Sequence, residues 1–187
     1  MAESRNNIIV RGMSGSIGKQ LVFKQYGDRT IVSAMPDMSK VVKSKKQKAE
    51  NVKFSEASAY AQAQMADPVS KAEYKAKAKG LQKPHNVAIA DFYNPPEIRK
   101  IDATDVRATK TVTIYAIDDF MVTDVTVEVY DTDGVLLEQG HAVETSQWFW
   151  AYQIMGDISS LNGIRLVVAA FDKPGNKTTQ EIEVSFQ

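Results

Sequence analysis

The second half of the chain is dominated by short strand-like segments that recur about every ten residues. β-Branched and aromatic residues alternate with polar ones within these segments, as in Val125, Val127 and Val129. Asp-Thr-Asp-Gly at 131–134 and Lys-Pro-Gly-Asn at 173–176 are strong turn signals. Strands and turns at this spacing predict an antiparallel β-sandwich. The expected strands lie near residues 97–101, 110–116, 122–130, 134–139, 146–153, 163–172 and 178–186.

Residues 7–35 predict a small β element. Residues 7–11 are a short apolar strand candidate, and glycines at 12, 15 and 18 interrupt the chain after it. The apolar segments 21–26 and 30–34 flank Gly27-Asp28-Arg29, which is typical of a hairpin with a three-residue turn.

Residues 38–80 change character and predict two helices. Ala, Lys, Glu and Gln dominate, and apolar residues follow helical spacing over about 46–65. Asp67 is suited to be the N-cap of a second helix with Pro68 in its first turn, and Gly80 is suited to be its C-cap. This α-hairpin is thin in large apolar residues, so Phe54, Tyr60 and Tyr74 need a neighbour to cover them.

The predicted fold class is therefore α+β, with a β-hairpin and an α-hairpin before an all-β domain. We expect a basic region over 1–84, a packed junction over 85–96 and a β-sandwich over 97–187. Residues 1–84 contain 16 basic and 7 acidic residues, a net charge of +9, and residues 85–187 contain 7 basic and 16 acidic residues, a net charge of −9. Such an asymmetry favours two surfaces with different partners.

Four phrases in the second half resemble bacterial immunoglobulin-like domains. They are Ala-Ile-Asp-Asp at 116–119, Val-Glu-Val-Tyr-Asp-x-Asp-Gly at 127–134, Trp-x-Tyr at 150–152 and Ala-Ala-Phe-Asp-x-x-Gly-Asn at 169–176. The resemblance covers about 97–187 and implies a fold, without an activity. The whole chain is similar to uncharacterised proteins of the Bacteroidetes type, in which a Gly-rich hairpin and a basic helical segment precede such a domain.

Several classes of protein are disfavoured by composition and motifs. The chain has no cysteine, which excludes disulfides and thiolate sites. Gly18-Lys19 lacks the upstream Gly and the following Ser or Thr of a phosphate-binding loop, and a strand candidate follows it. The two histidines, His85 and His141, lie apart without ligand spacing or a nucleophile elbow. We therefore expect a non-enzyme without a cofactor or a small-molecule substrate.

The sequence also bears on location. No secretory signal pattern and no apolar stretch of membrane-spanning length is visible, so we expect a cytoplasmic protein. A component of a virion or of an injection particle would have the same pattern.

Carboxylates in two predicted loops raise the question of calcium. In an immunoglobulin-like order, Asp118, Asp119 and Asp172 lie in loops at one end of the sandwich, and Asn176 adds an oxygen. The competing interpretation is that each Asp caps its own turn. Local capping is favoured here because calcium needs six or more oxygens and fewer are in view.

Two kinds of surface are candidates for binding. The predicted protein contacts are the apolar side chains of Phe54, Tyr60, Tyr74 and Phe149. On the strand that contains Phe149, we assign Trp148, Trp150 and Tyr152 to the face that packs on the core. The alternative function is nucleic-acid binding through residues 38–83 by phosphate contacts. Its candidate lysines are Lys40, Lys43, Lys45, Lys46, Lys48, Lys71, Lys75 and Lys79. No base-reading motif accompanies these lysines, so the leading prediction is docking to a protein, to a second copy or to a larger assembly, with weak nucleic-acid binding at most.

Overall fold

The computed structural model describes residues 2–4, 8–26, 29–37, 39 and 41–186. The chain is an α+β protein that divides into two compact units, residues 1–48 and residues 49–187. The region 1–84 considered above is thus shared between the two units, and its second half belongs with the C-terminal strands. In the described part of the chain, every helix is too short or too polar to cross a membrane.

The N-terminal unit is built on a four-stranded antiparallel sheet in the order β1-β4-β3-β2. The strands are β1 (Ala2–Ser4), β2 (Gly15–Ile17), β3 (Leu21–Tyr26) and β4 (Arg29–Ala34). The predicted hairpin is confirmed, since β3 pairs with β4 from Leu21↔Ala34 to Tyr26↔Arg29. The predicted three-residue turn is wrong, because Arg29 is the first residue of β4, while Gly27 and Asp28 lie outside the described residues.

Two turns, at residues 8–12 and at Gly18-Lys19, shape the start of this unit. The predicted strand over 7–11 is wrong, because residues 8–12 form turns and Asn7 lies outside the described residues. Gly18 and Lys19, both with positive φ, form the tight turn from β2 into β3.

Three helices follow, α1 (Lys45–Ala66), α2 (Pro68–Lys77) and α3 (Pro84–Tyr93). Ser44 and Gln47 begin α1 with a reciprocal capping box, because each backbone N–H donates to the other side chain. Asp67 caps α2 as predicted and accepts from the backbone N–H groups of Val69 and Ser70. The C-cap is Ala78, so the prediction of Gly80 is wrong. The helix α3 was not predicted.

The remaining chain supplies eight strands and one short helix, α4 (Val106–Thr109). The strands are β5 (Glu97–Asp102), β6 (Thr111–Ile117), β7 (Val122–Tyr130), β8 (Leu136–His141), β9 (Val143–Ser146), β10 (Phe149–Gln153), β11 (Gly163–Asp172) and β12 (Lys177–Ser185). They form two antiparallel sheets with the orders β5-β6-β10-β9 and β12-β11-β7-β8. All seven predicted strands are present, with β10 in the segment 146–153, and β9 is a further strand that was not predicted.

The two sheets share one hydrophobic core. Its fully buried side chains come from alternate positions of the strands and include Val112, Ile114, Val125, Val127, Val129, Leu166 and Val168. Trp150 lies opposite Ile114, and Tyr152 lies opposite Val112, so both aromatic side chains reach this core as predicted. The assignment of Trp148 to the same face is wrong: it precedes β10, has a φ of 71° and is 47% exposed.

A bulge in β7 sets the end of β11. Phe171 pairs with Asp124 and Asp172 pairs with Val122, which leaves Thr123 as an extra residue. The Thr123 hydroxyl donates to the backbone carbonyls of Phe171 and Asp172, at 3.2 Å and 3.0 Å. The bulge therefore fixes the backbone from which the Asp172 side chain projects.

A second, smaller core joins the helices to the loop after β6. It contains Ala61, Tyr74, Ala88 and Phe120, all buried. The Tyr74 and Phe120 rings stack at a centroid distance of 4.1 Å. Since each helix contributes one or two small or aromatic residues, this core depends on Phe120 from outside the helices.

Candidate functional site

Three carboxylates from distant parts of the sequence meet beside the second core. Asp91 lies on α3, Asp118 follows β6, and Asp172 ends β11. One carboxylate oxygen of each residue lies within 4.8 Å of the other two. Asp91 and Asp172 are buried, at 2% and 3% exposure, and Asp118 is half-buried. We call these three residues the carboxylate cluster.

Hydrogen bonds account for some of the oxygens in the cluster. Asp118 Oδ2 accepts from the backbone N–H groups of Phe120 and Met121, both at 2.8 Å. Asp172 accepts from the backbone N–H of Asn176 at 2.6 Å and from its side-chain amide at 2.7 Å. The turn-capping interpretation of these two aspartates therefore describes contacts that are present.

Two oxygens in the cluster have no hydrogen-bond partner among the described residues. They are Asp91 Oδ1 and Asp118 Oδ1, and both are buried. The other Asp91 oxygen accepts a hydrogen bond from the Tyr74 hydroxyl at 2.5 Å, and the Tyr60 hydroxyl lies 2.7 Å from that of Tyr74. Buried polar atoms are nearly always paired, so these two oxygens mark an unusual place in the molecule.

The electrostatics of the cluster disfavour three ionised carboxylates. The pKa of Asp91 is raised from 3.8 to about 7, mainly by burial and also by the charges of Asp118 and Asp172, while the Tyr74 hydrogen bond opposes the rise. Burial also raises the pKa of Asp118 and that of Asp172. Burial likewise raises the pKa of the Tyr60 hydroxyl to about 12.

One lysine lies close to the cluster but has its own partners. Lys173 donates to Glu73 at 2.5 Å and to the Ser70 hydroxyl at 2.7 Å, so an ion pair joins the turn after β11 to α2. Its Nζ also lies 5.2 Å from the centroid of the Tyr74 ring. Lys173 lowers the pKa of Asp91, but this effect is smaller than that of burial.

Surface clefts open next to the cluster. A cavity of about 230 Å³ is lined by Asp91, Asp119, Phe120, Lys77 and Lys79 among others. A second cavity, of about 180 Å³, is lined by Asp118 together with residues around Trp148. The cluster is therefore within reach of solvent at its edges.

The other two residues of the predicted calcium group have local roles. The Asp119 carboxylate accepts from the Asn94 side chain at 2.8 Å and is not one of the three clustered carboxylates. The Asn176 side-chain nitrogen donates to Asp172 and to the backbone carbonyls of Asp91 and Phe92, so it ties the turn before β12 to α3. Asp91 takes the place that was expected for Asp119.

Asp91 was missed by the sequence analysis because α3 itself was not predicted. Pro84 stands at the first helical position, and Ala88 and Asp91 lie three residues apart on one buried side of the helix. These are the signals that would have predicted this helix and its buried carboxylate.

Three aromatic side chains form an exposed surface on the sheet that contains β10. Tyr115 stacks on Phe149 at 4.9 Å between centroids, and Trp148 lies 6.5 Å from Tyr115. Phe149 is 41% exposed, as predicted for its outward face. The edge strand β9, exposed at all four residues, pairs with β10 beside them. We call Tyr115, Trp148 and Phe149 the aromatic surface.

The remaining predicted contact residues have different environments. Phe54 is exposed on α1. Tyr60 is half-buried, and its ring lies 5.6 Å from that of Phe92. Tyr74 is fully buried in the second core, so its prediction as a contact residue is wrong: Phe120 and the Asp91 carboxylate already cover it.

The predicted phosphate contacts are solvent-exposed wherever the structure describes them. This set comprises Lys43, Lys45, Lys46, Lys48, Lys71, Lys75 and Lys79. Lys40 lies outside the described residues. Lys45, Lys46 and Lys48 occupy the first turn of α1, which has no acidic residue. Their charges oppose the helix dipole there, so an anion would be favoured at this end of the helix.

The N-terminal unit leaves most of its large apolar side chains in solvent. Phe23, at 8% exposure, is the one large apolar residue buried among its described residues. The exposed ones include Ile8, Ile9, Ile17, Leu21, Tyr26, Met35, Val41 and Val42. Ile17 and Leu21 face each other across β2 and β3, two residues along from Phe23 on the same side of the sheet.

No protein-family model matches this chain, and no curated protein sequence matches it.

Proposed function

We propose that this chain is a non-enzymatic structural or interaction protein. Residues 49–187 present an immunoglobulin-like sandwich, and the basic N-terminal unit docks onto a second copy of the chain. The observation that carries this proposal is the exposure of apolar side chains in the N-terminal unit. Contiguous apolar surface on a soluble protein is typical of a contact surface.

The strand order supports the immunoglobulin-like assignment. Constant-type immunoglobulin domains have the orders A-B-E-D and C-F-G. If β5 is strand A, then β5-β6-β10-β9 follows the first order, and β12-β11-β7 follows the second, with β8 as an added edge strand. Two features depart from antibody domains: the chain has no disulfide, and the buried Trp150 lies on β10, which corresponds to strand E.

Size supports association of the N-terminal unit. A unit of 48 residues is near the lower limit for a domain that folds without help from disulfides, metals or partners. Ile17 and Leu21 extend the apolar side of the sheet beyond Phe23, and covering them would remove apolar area from water. Short edge strands of three residues, β1 and β2, limit how far a partner could extend the sheet by strand pairing.

Charge favours a second copy as the partner. Residues 1–48 contain 10 basic and 3 acidic residues, a net charge of +7, and residues 49–187 contain 13 basic and 20 acidic residues, a net charge of −7. The basic unit of one copy is therefore attracted to the acidic unit of another, which speeds encounter and fixes orientation. A contact between two different surfaces is heterologous, and it generates a ring or an open assembly.

A salt series tests this proposal against nucleic-acid binding. Sedimentation velocity of the full chain, with and without a mixed-sequence oligonucleotide, would be recorded at low and moderate salt. We expect self-association to persist at moderate salt because apolar burial is not screened, and oligonucleotide binding to be lost. Tight, sequence-selective oligonucleotide binding at moderate salt would contradict the proposal.

The alternative function is phosphate binding through residues 38–83. The lysines in the first turn of α1 favour it, because an anion there would offset their repulsion from the helix dipole. Replacing Lys45, Lys46 and Lys48 with Gln would then weaken oligonucleotide binding. The slope of its salt dependence would fall by about one for each phosphate that the variant no longer neutralises.

A further inference from the structure

We propose that the carboxylate cluster, Asp91, Asp118 and Asp172, binds one divalent cation of the size of calcium. This site is separate from the surfaces on which the association proposal rests, so the two proposals are tested independently. The set differs from the one the sequence suggests, since Asp91 belongs to it and Asp119 does not.

The spacing of the three oxygens fits calcium. Calcium holds its oxygen ligands at about 2.4 Å, so ligands on opposite sides of the ion are about 4.8 Å apart. The three oxygens lie within 4.8 Å of one another, so shifts of at most a few tenths of an ångström place all three within ligand distance of one calcium ion. Magnesium holds its ligands at about 2.1 Å and tolerates little departure from an octahedron, which makes three buried carboxylates a poorer match for it.

The unpaired oxygens favour a cation at this position. Asp91 is 2% exposed, and its Oδ1 has no hydrogen-bond partner among the residues that the structure describes. The Oδ1 atom of the half-buried Asp118 is also buried and has no partner in the described part of the chain. An unpaired buried carboxylate oxygen costs free energy that a cation would recover, since charged groups are buried only when they are paired or coordinate a metal.

The charges around the cluster do not balance without a cation. The three carboxylates face Lys173, which is engaged by Glu73 and Ser70. Lys77 and Lys79 lie at the adjoining cavities but are exposed. A divalent cation would offset two of the three negative charges, whereas one proton on Asp91 would offset one.

The surroundings supply access and further ligands. Asp118 is half-buried and lines a cavity of about 180 Å³, so an ion and its waters can enter from that side. Calcium takes six to eight oxygens, and waters complete the set when the protein supplies fewer. The bound ion would join α3 to the loop after β6 and to the end of β11, and so fasten the helices to both sheets.

Thermal unfolding of the chelator-stripped full chain tests the site. Both tryptophans, Trp148 and Trp150, lie in the 49–187 unit, so their fluorescence reports that unit. Calcium at about 100 times its dissociation constant is expected to raise Tm by roughly 6–10 °C through mass action. Magnesium at the same concentration is expected to raise it less.

Two variants separate this site from other acidic groups. Asp91→Asn conserves volume and is expected to melt in chelator at or above the wild-type temperature and to show no rise with calcium. Asp133→Asn removes a charge from the exposed turn between β7 and β8 and is expected to keep the full rise. Equilibrium dialysis should find one calcium per wild-type chain and none per Asp91→Asn or Asp118→Asn chain.

Two results would overturn the proposal. One is a wild-type Tm that does not respond to calcium together with no calcium retained in dialysis, in which case a proton alone neutralises Asp91. The other is a calcium response that survives Asp91→Asn and disappears in Asp133→Asn, which would place the ion on the surface turn.

Discussion

The two units of this chain differ in how far they bury their apolar side chains. In residues 49–187, alternating side chains of two sheets bury Val127, Leu166 and Trp150 against each other. In residues 1–48, the described strands bury Phe23 and leave Ile17 and Leu21 in solvent. Both are antiparallel β-structures, so strand formation alone does not produce a core. The difference lies in whether a second layer covers the apolar face, and this is why we assign association to the N-terminal unit.

The largest effect tests the core of the 49–187 unit. Trp150→Ala is expected to lower its free energy of unfolding by about 3–5 kcal/mol, because it leaves a cavity between the sheets. Phe149→Ala, the neighbouring outward position, is expected to cost less than about 1 kcal/mol. Urea unfolding followed by circular dichroism measures both. If Phe149→Ala proves the costlier change, the two faces of β10 have been assigned the wrong way round.

The pH dependence of stability tests the burial of the carboxylate cluster. Because folding raises the pKa of Asp91 from 3.8 to about 7, the folded chain keeps a proton between about pH 4 and pH 7 that the unfolded chain has lost. This contribution to stability is therefore present at low pH and lost as pH rises to about 7. The raised pKa values of Asp118 and Asp172 act in the same direction.

Asp91→Asn isolates that contribution. In chelator at pH 8 the variant is expected to be more stable than the wild type by about 1–3 kcal/mol, since it removes an unpaired buried charge. At pH 4.5 the advantage should vanish. Urea unfolding across this pH range, followed by tryptophan fluorescence, gives the difference in free energy of unfolding between the variant and the wild type. The exposed aspartates contribute equally to both proteins, so their effect cancels in this difference. A constant difference across the range would refute the pKa assignment.

A smaller effect is expected in the N-terminal unit. Phe23→Ala should lower the stability of that unit by about 1–2 kcal/mol, because its neighbours on the sheet are partly in water and less apolar area returns to solvent. Hydrogen exchange would show faster exchange at amides of β3 and β4, while amides of β7 and β11 stay unchanged. Equal acceleration in both regions would mean that the two units unfold together.

The smallest effect concerns the exposed lysines of α2 and the segment after it. Lys71→Gln, Lys75→Gln and Lys79→Gln should each change stability by less than about 0.5 kcal/mol, because these side chains are solvated. Thermal melting of the triple variant checks this. If the triple variant is destabilised by more than about three times that amount, these lysines support the fold and are not free to bind phosphate.

The sequence was most informative where a pattern is local. Alternation predicted the seven strands, and Asp67-Pro68 predicted the start of α2, since strand periodicity and capping act over a few residues. The exposed Trp148 could not be predicted from alternation, because the positive φ before β10 reverses the direction of its side chain.

The sequence analysis identified two of the three residues in the carboxylate cluster. Loop order suggested that Asp118 and Asp172 lie at one end of the sheets, and the structure brings them together. Asp91 was missed because it depends on how α3 packs, which is a long-range property of the fold. The burial of Tyr74 has the same origin, since Phe120 from a loop 46 positions later covers it.

The most direct test of the association proposal is the molar mass of the full chain in solution, measured by light scattering after size-exclusion chromatography over a range of concentrations. We expect a mass that rises with concentration above that of one 20.7 kDa chain. The double variant Ile17→Asp, Leu21→Asp should return the mass to one chain, and Leu81→Asp, an exposed apolar position in the other unit, should leave the rise intact. A wild-type mass of one chain at every concentration, or a rise that the double variant does not alter, would contradict the proposal.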